Sequence, residues 1–187
     1  MANLEAVLGR ILIALGSNRE GHWGKPPEAL QRAVDAMRRR GISVIGLSAI
    51  YSTAGVGSWQ PGEYANAAIA AESHLAPLAL LRLLKGIEAG AGKRSARPWG
   101  PRALDLDIID YKGLVRHWRD HVPVGGQGHR LTLPHGRAHE RPFVLKPLLD
   151  VAPRWRHPVL RQSAAELWRS AMRQESGQIL GEIGQLR

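Results

Sequence analysis

Leu104-Asp105-Leu106-Asp107-Ile108-Ile109-Asp110-Tyr111 is the stretch on which the fold turns. Apolar and acidic residues alternate here, and successive strand side chains point to opposite faces, so the stretch reads as a strand. Leu104, Leu106 and Ile108 then face a core. Asp105 and Asp107 share the other face, about 7 Å apart along the strand. Strict alternation puts Asp110 opposite to them. Upstream, Pro77 opens a helix whose apolar face is Leu80, Leu81, Leu84 and Ile87, and Gly90 and Gly92 end it. Before that helix, Tyr64 to Glu72 reads as a strand, and so does Ile42 to Ser52. Between those two strands, Thr53 to Glu63 holds three glycines and a proline and must be a loop. Pro26-Pro27 starts an earlier helix with Leu30, Ala33, Val34 and Met37 on one face. Arg38-Arg39-Arg40 and Gly41 suit its C-terminal end. Ile11 to Leu15 is a short apolar strand that stops at Gly16-Ser17-Asn18.

Downstream, residues 112–130 read as irregular and Pro142 to Val151 as a short helix bent at Pro147. Ser163-Ala164-Ala165-Glu166 is a capping box for a C-terminal helix over about 163–181. The order β-α-β-β-α-β is that of the ferredoxin-like α+β unit, an antiparallel sheet with helices on one face. Neither a repeat nor a linker interrupts it, so 1–187 is expected to be a single domain with extra C-terminal helix.

The composition narrows the function classes. With 187 residues and 44% hydrophobic content, the chain can bury an ordinary core. It has no cysteine, which excludes a disulfide scaffold, a thiolate metal site and a cysteine nucleophile. Its net charge of +10 comes mainly from arginine, which allows phosphate-bearing ligands, nucleic acid or anionic membrane. The longest N-terminal apolar run is far too short for a span and lacks a signal-peptide pattern, so a cytoplasmic protein is expected.

The chemistry centres on the same strand. Two carboxylates side by side repel unless a cation sits between them, and magnesium joins one or two carboxylates to substrate phosphates. An Asp-x-Asp alone is weak, since two solvated aspartates explain it equally well. Here it follows the basic glycine-rich segment Gly90-Ala91-Gly92-Lys93-Arg94-Ser95-Ala96-Arg97, with Arg102 just after it. Carboxylates, a basic loop and a fixed arginine are the parts of phosphoryl transfer, which works by positioning and charge neutralisation. No P-loop and no His-Glu-x-x-His motif is present. His135 stands alone, and its spacing decides nothing.

In these residues the chain resembles the 6-hydroxymethyl-7,8-dihydropterin pyrophosphokinase family over about residues 11–160. Five blocks carry the likeness in order: Ala14 to Asn18, Tyr51-Ser52-Thr53, Tyr64 to Ala67, Trp99 to Asp107, and Leu131 to His135 reaching Arg141 to Leu145. The resemblance implies a ferredoxin-like fold and transfer of the diphosphate of ATP to the pterin hydroxymethyl group, with release of AMP, in folate synthesis. It implies two magnesium ions on Asp105 and Asp107, and catalytic roles for these two with Lys93, Arg94 and Arg102. ATP contacts would come from Glu88, Ile108, Arg130, Thr132, His135 and Arg141. The pterin would meet Thr53, Gly55, Val56, Tyr64, Asn66, Trp99 and Phe143. The partners implied are small molecules, ATP and the pterin, taken up by a monomer with no nucleic acid and no membrane.

The chain departs from the family in places. Ala54-Gly55-Val56 stands where Pro-Pro-Leu is common, which should loosen that loop. Gly136 replaces an aromatic, and Leu114 to His129 is longer than usual. The rival reading is a non-catalytic RNA-binding module on the same fold. Its aromatic stacking strand is missing, and the two aspartates would repel phosphate without a metal.

Overall fold

The computed structural model describes residues 9–55, 62–92, 102–118, 131–173 and 177–187. β1 (Ile11–Ser17) lies inside the sheet, between β4 (Glu63–Glu72) and β5 (Asp105–Tyr111), and is antiparallel to both. β2 (Ser43–Leu47) and β3 (Ala49–Ala54) pair one after the other with β4, and β6 (Ile179–Gln185) pairs with β3. The path is β5-β1-β4-β3-β6, with β2 attached to β4.

Sequence reading takes Ile42 to Ser52 as one strand. The structure divides it at Ser48. The Ser48 hydroxyl donates to Ala49 O and accepts the Ala68 N–H, so a side chain stands in for a backbone acceptor of the ladder. A shift of register between Val44 and Gly46 adds to the break.

Helices cover both faces: the two of the β-α-β-β-α-β unit share one face, as the element order predicts, and the two that follow cover the other. α1 (Pro26–Arg38) and α2 (Pro77–Gly90) pack on one side over Ile11, Ile13, Leu15, Leu104 and Leu106. Leu30, Ala33, Val34 and Met37 are all fully buried, as their spacing predicts. Gly41 follows α1 with φ of +79°, a left-handed conformation that favours glycine. On the other side, α3 (Pro142–Val151) and α4 (Ala164–Ala171) cover Leu12, Ala68, Ala70 and Ile109 with Val144, Leu145, Leu148 and Leu167. The alanines of β4 present little bulk on either face, which suits close approach of helices from both sides.

The C-terminal segment differs from the expected helix over 163–181. Ser163 caps as predicted: its hydroxyl accepts the Glu166 N–H and the Glu166 carboxylate accepts the Ser163 N–H. The helix nevertheless stops at Ala171, and the chain returns as strand β6 at the edge of the sheet. Gly177, Gly181 and Gly184 in that segment were the readable sign against a longer helix.

Candidate active site

β5 carries the two carboxylates, and the register shows what lies beside them. Asp105 pairs with Gly16 and Asp107 with Ala14 of β1. Gly16 in turn pairs with Asn66 of β4, and Asn66 with Tyr51 of β3. Residues directly opposite on paired strands share a face, so Asp105, Asp107 and Asn66 look out on the side of α3. Gly16 has no side chain, so nothing projects between Asp105 and Asn66. Thr53 and Tyr64 pair with each other on the same face. Asn66 Nδ2 donates to Thr53 Oγ1 at 2.7 Å, which orients the amide. Burial raises the Tyr64 pKa against the charge of Arg102, and the phenol stays neutral.

The start of β5 is held by Gly16-Ser17-Asn18. Asn18 Oδ1 accepts the Arg102 N–H at 2.7 Å, and the Asn18 N–H donates to Arg102 O at 3.1 Å. Ser17 Oγ donates to Ala103 O at 2.7 Å. These bonds fix the backbone from which Arg102 reaches Asp105 Oδ2 at 2.7 Å. The sequence reading gave Ser17 and Asn18 no role of their own.

Asp110 is a correction. β5 bulges at Ile109: Ile108 pairs with Ile13, but Leu12 pairs with Asp110. The extra residue returns Asp110 to the face of Asp105 and Asp107, where strict alternation had excluded it. It still does not join them at the surface. It is buried, and its carboxylate accepts Trp155 Nε1–H and the Gly113 N–H. Burial raises its pKa despite these bonds.

Ile109 O accepts the His135 N–H at 2.8 Å, which sets His135 against β5. Its Nε2 lies 4.0 Å from Asp107 Oδ2. Its Nδ1 accepts the Arg137 N–H at 3.2 Å, so the neutral ring carries its proton on Nε2, towards Asp107. Burial holds the pKa of His135 below the usual histidine range, although Asp107 opposes this. Arg141, just before α3, is partly buried close to Asp107 and Asp105, with its guanidinium 5.7 Å from the Phe143 ring. Thr132 is partly buried in the same approach to His135.

Two more of the expected ATP contacts lie on or against β5 with their side chains turned inward. Glu88 is 1% exposed, and its Oε1 takes the Leu106 N–H at 2.7 Å and Lys85 Nζ at 2.7 Å. Ile108 is 2% exposed, with its side chain in the core on the α1 and α2 side. The carboxylate of Glu88 serves the strand edge, and the Ile108 side chain packs into the core. Gly55 ends the described part of its loop. Val56, Lys93, Arg94, Trp99 and Arg130 lie outside the described residues.

Asp105 and Asp107 are 24% and 35% exposed. Among the described residues, no three His, Cys, Asp or Glu side chains converge to hold a metal alone. Two accessible carboxylates fit magnesium, which fills its remaining positions with water and phosphate oxygens.

The family model for 7,8-dihydro-6-hydroxymethylpterin-pyrophosphokinase matches residues 12–153. The chain belongs to this family. A 2-amino-4-hydroxy-6-hydroxymethyldihydropteridine pyrophosphokinase of Methylorubrum extorquens is 37% identical over 145 residues, 77% of this chain and 83% of that protein. The protein of the same name from Pseudomonas aeruginosa is 35% identical over 153 residues, 81% of this chain and 86% of the other. A mitochondrial folate synthesis bifunctional protein of Arabidopsis thaliana is 39% identical over 141 residues. The chain spans only 23% of that longer protein. Among solved structures, the wild-type HPPK-DHPS of Plasmodium falciparum superposes with a TM-score of 0.64 and 12% identity, over 91% of this chain and 45% of that one. That likeness bears on the fold, which is the family's ferredoxin-like α+β sheet. No described helix is long and apolar enough to cross a membrane.

Proposed function

We propose that this chain transfers the β,γ-diphosphate of ATP to 6-hydroxymethyl-7,8-dihydropterin, giving the pterin diphosphate and AMP for folate synthesis. Membership of a pterin pyrophosphokinase family supports the reaction class. The observation that carries the reading is the accessible pair Asp105 and Asp107 on the same sheet face as Asn66, Thr53 and Tyr64. In the reaction, the hydroxymethyl oxygen bonds to the β-phosphorus, the bond from that phosphorus to the α,β-bridging oxygen breaks, and AMP leaves with that oxygen.

Asp105 and Asp107 would hold magnesium, two ions in this reading, which would neutralise and orient the triphosphate when bound. Arg102 and Arg141 bring fixed positive charge to the carboxylates and the phosphates. Neutral His135 offers an Nε2–H donor without adding a cation. The oriented amide of Asn66 can donate to and accept from a pterin edge, and Phe143 offers a ring for stacking. Lys93, Arg94, Arg130 and Trp99 belong to this reading through the family resemblance. So does a cytoplasmic monomer acting on small molecules. The RNA-binding alternative has no support among the relatives.

The test mixes the protein with ATP, magnesium and the hydroxymethyl dihydropterin. AMP should form only when all three are present. AMP formation without pterin would instead mark a plain nucleotide hydrolase.

Gly16 gives a sharper check on the pterin side. A Cβ there would lie 3.1 Å from Asn66 Oδ1, tighter than ordinary contact. Gly16→Ala should displace the amide and raise the pterin KM about tenfold, because a misplaced polar group forfeits its bonds to the ligand. The KM for ATP should move far less. Steady-state kinetics with each substrate varied will show the split.

A further inference from the structure

We propose that Lys85 is a positioning residue for Asp107, locked in place by Glu88 and set to hold the carboxylate for an incoming metal–nucleotide complex. The proposal rests on the metal and nucleotide reading of the site. Among the described residues β5 is the outermost strand, and its outward backbone groups meet no strand there. Helix α2 supplies them for Leu106. Glu88 Oε1 accepts the Leu106 N–H at 2.7 Å, and Lys85 Nζ donates to Leu106 O at 3.2 Å. The same ammonium bonds Glu88 Oε1 at 2.7 Å. A surface lysine usually loses entropy when it settles into one geometry, which cancels much of its electrostatic gain. Here two hydrogen bonds, one of them to a buried carboxylate, already fix it.

The fixed ammonium lies 3.9 Å from Asp107 Oδ1, while His135 Nε2 lies 4.0 Å from Oδ2. The two oxygens of Asp107 thus have different neighbours, and the carboxylate has one preferred rotation. Asp105 is held independently by Arg102. Each carboxylate of the pair is restrained by its own cation, so the pair stays aimed before a metal arrives. A nucleotide triphosphate with a single magnesium still carries net negative charge, so the lysine favours its approach.

The experiment titrates a non-hydrolysable ATP analogue by calorimetry at several magnesium concentrations. Lys85→Met should weaken magnesium-dependent binding about three- to fivefold, the upper range for an exposed ion pair. The magnesium needed for half-maximal AMP formation should rise by a similar factor, while kcat at saturating magnesium stays within about twofold. Lys85→Arg should restore most of the loss. Glu88→Gln keeps an acceptor for Leu106 but removes the charge that anchors Lys85, so it should shift the magnesium dependence in the same direction. An unchanged magnesium dependence in Lys85→Met overturns the proposal. So does a lower melting temperature with normal magnesium dependence in both variants, which leaves Lys85 as an edge brace only. If the wild-type protein itself shows no magnesium-dependent binding, the functional reading fails instead.

Discussion

Asp107→Ala, and separately Asp105→Ala, should leave the protein folded and lower turnover by about a thousandfold or more. Several kcal/mol of charge stabilisation at the reacting phosphate are at stake, and each 1.36 kcal/mol is a factor of ten in rate. The fold should hold because both carboxylates are partly exposed and their ion pairs involve exposed cations. Such pairs contribute up to about 1 kcal/mol each. Removing one charge also relieves repulsion within the pair. The core face of the strand, with Leu104 and Leu106 fully buried, is untouched. Asp110→Ala makes the contrasting control. It strands the Trp155 and Gly113 N–H groups, so it should lower the melting temperature without changing the magnesium dependence. Melting curves and magnesium titrations of single-turnover AMP release, run on all three variants, decide the matter. An active, well-folded Asp107→Ala protein with normal magnesium dependence would remove the metal assignment.

The second large effect is on stability in acid, and it comes from His157. Its ring is fully buried against Trp118, Trp155 and His139, with centroids 4.5, 5.7 and 5.7 Å away. Its Nδ1 accepts the N–H groups of Val159 and Leu160. Burial, aided by the nearby charge of His139, pushes its pKa down from 6.5 to about 4. The folded pKa lies below the unfolded one, so between these values the unfolded chain binds the proton more readily. The stability contributed by neutral His157 is therefore present above about pH 6.5 and is lost as pH falls towards 4. The difference amounts to about 3 kcal/mol, or roughly 6–12 °C in melting temperature for a chain of this size. His135 acts in the same direction, and Asp110, with its raised pKa, in the opposite one. The comparison is therefore between wild type and His157→Asn, whose amide oxygen can replace Nδ1 as acceptor. The variant should melt lower at neutral pH and show a flatter slope between pH 6.5 and 4. Parallel pH profiles for the two proteins would show that His157 does not carry the acid sensitivity.

Much of the fold was legible because local periodicity records local backbone. Leu30, Ala33, Val34 and Met37 announce α1 and its buried face, and the alternation at 104–108 announces β5 with its outward aspartates. The family blocks marked Asp105, Asp107, Arg102, Asn66, Tyr64 and Thr53; the strands bring all but Arg102 to one face, and Arg102 reaches that face through its bond to Asp105. His135 and Arg141 arrive there from the segment before α3.

Other features depended on partners far away in the chain. Whether a helix covers one face or the other cannot be read from its own amphipathic stripe, so the side that α3 and α4 cover emerged only from the tertiary structure. The Ile109 bulge arises from pairing with β1, and it alone returns Asp110 to the ligand-side face, where Trp155 then covers it. β6 needs the free edge of β3, which no local pattern reveals. Glu88 and Lys85 look like an ordinary helical i, i+3 pair until β5 lies alongside them as an edge strand. By itself the sequence determined β1, β4, β5 and the helices α1 to α3 with their core positions, because those follow from periodicity and residue type, while the carboxylate pair was singled out by its basic surroundings and the family resemblance. Only the tertiary structure decided which faces are covered, where the edges fall and which charges hold Asp105 and Asp107 in place, because those are set by contacts between residues remote in sequence.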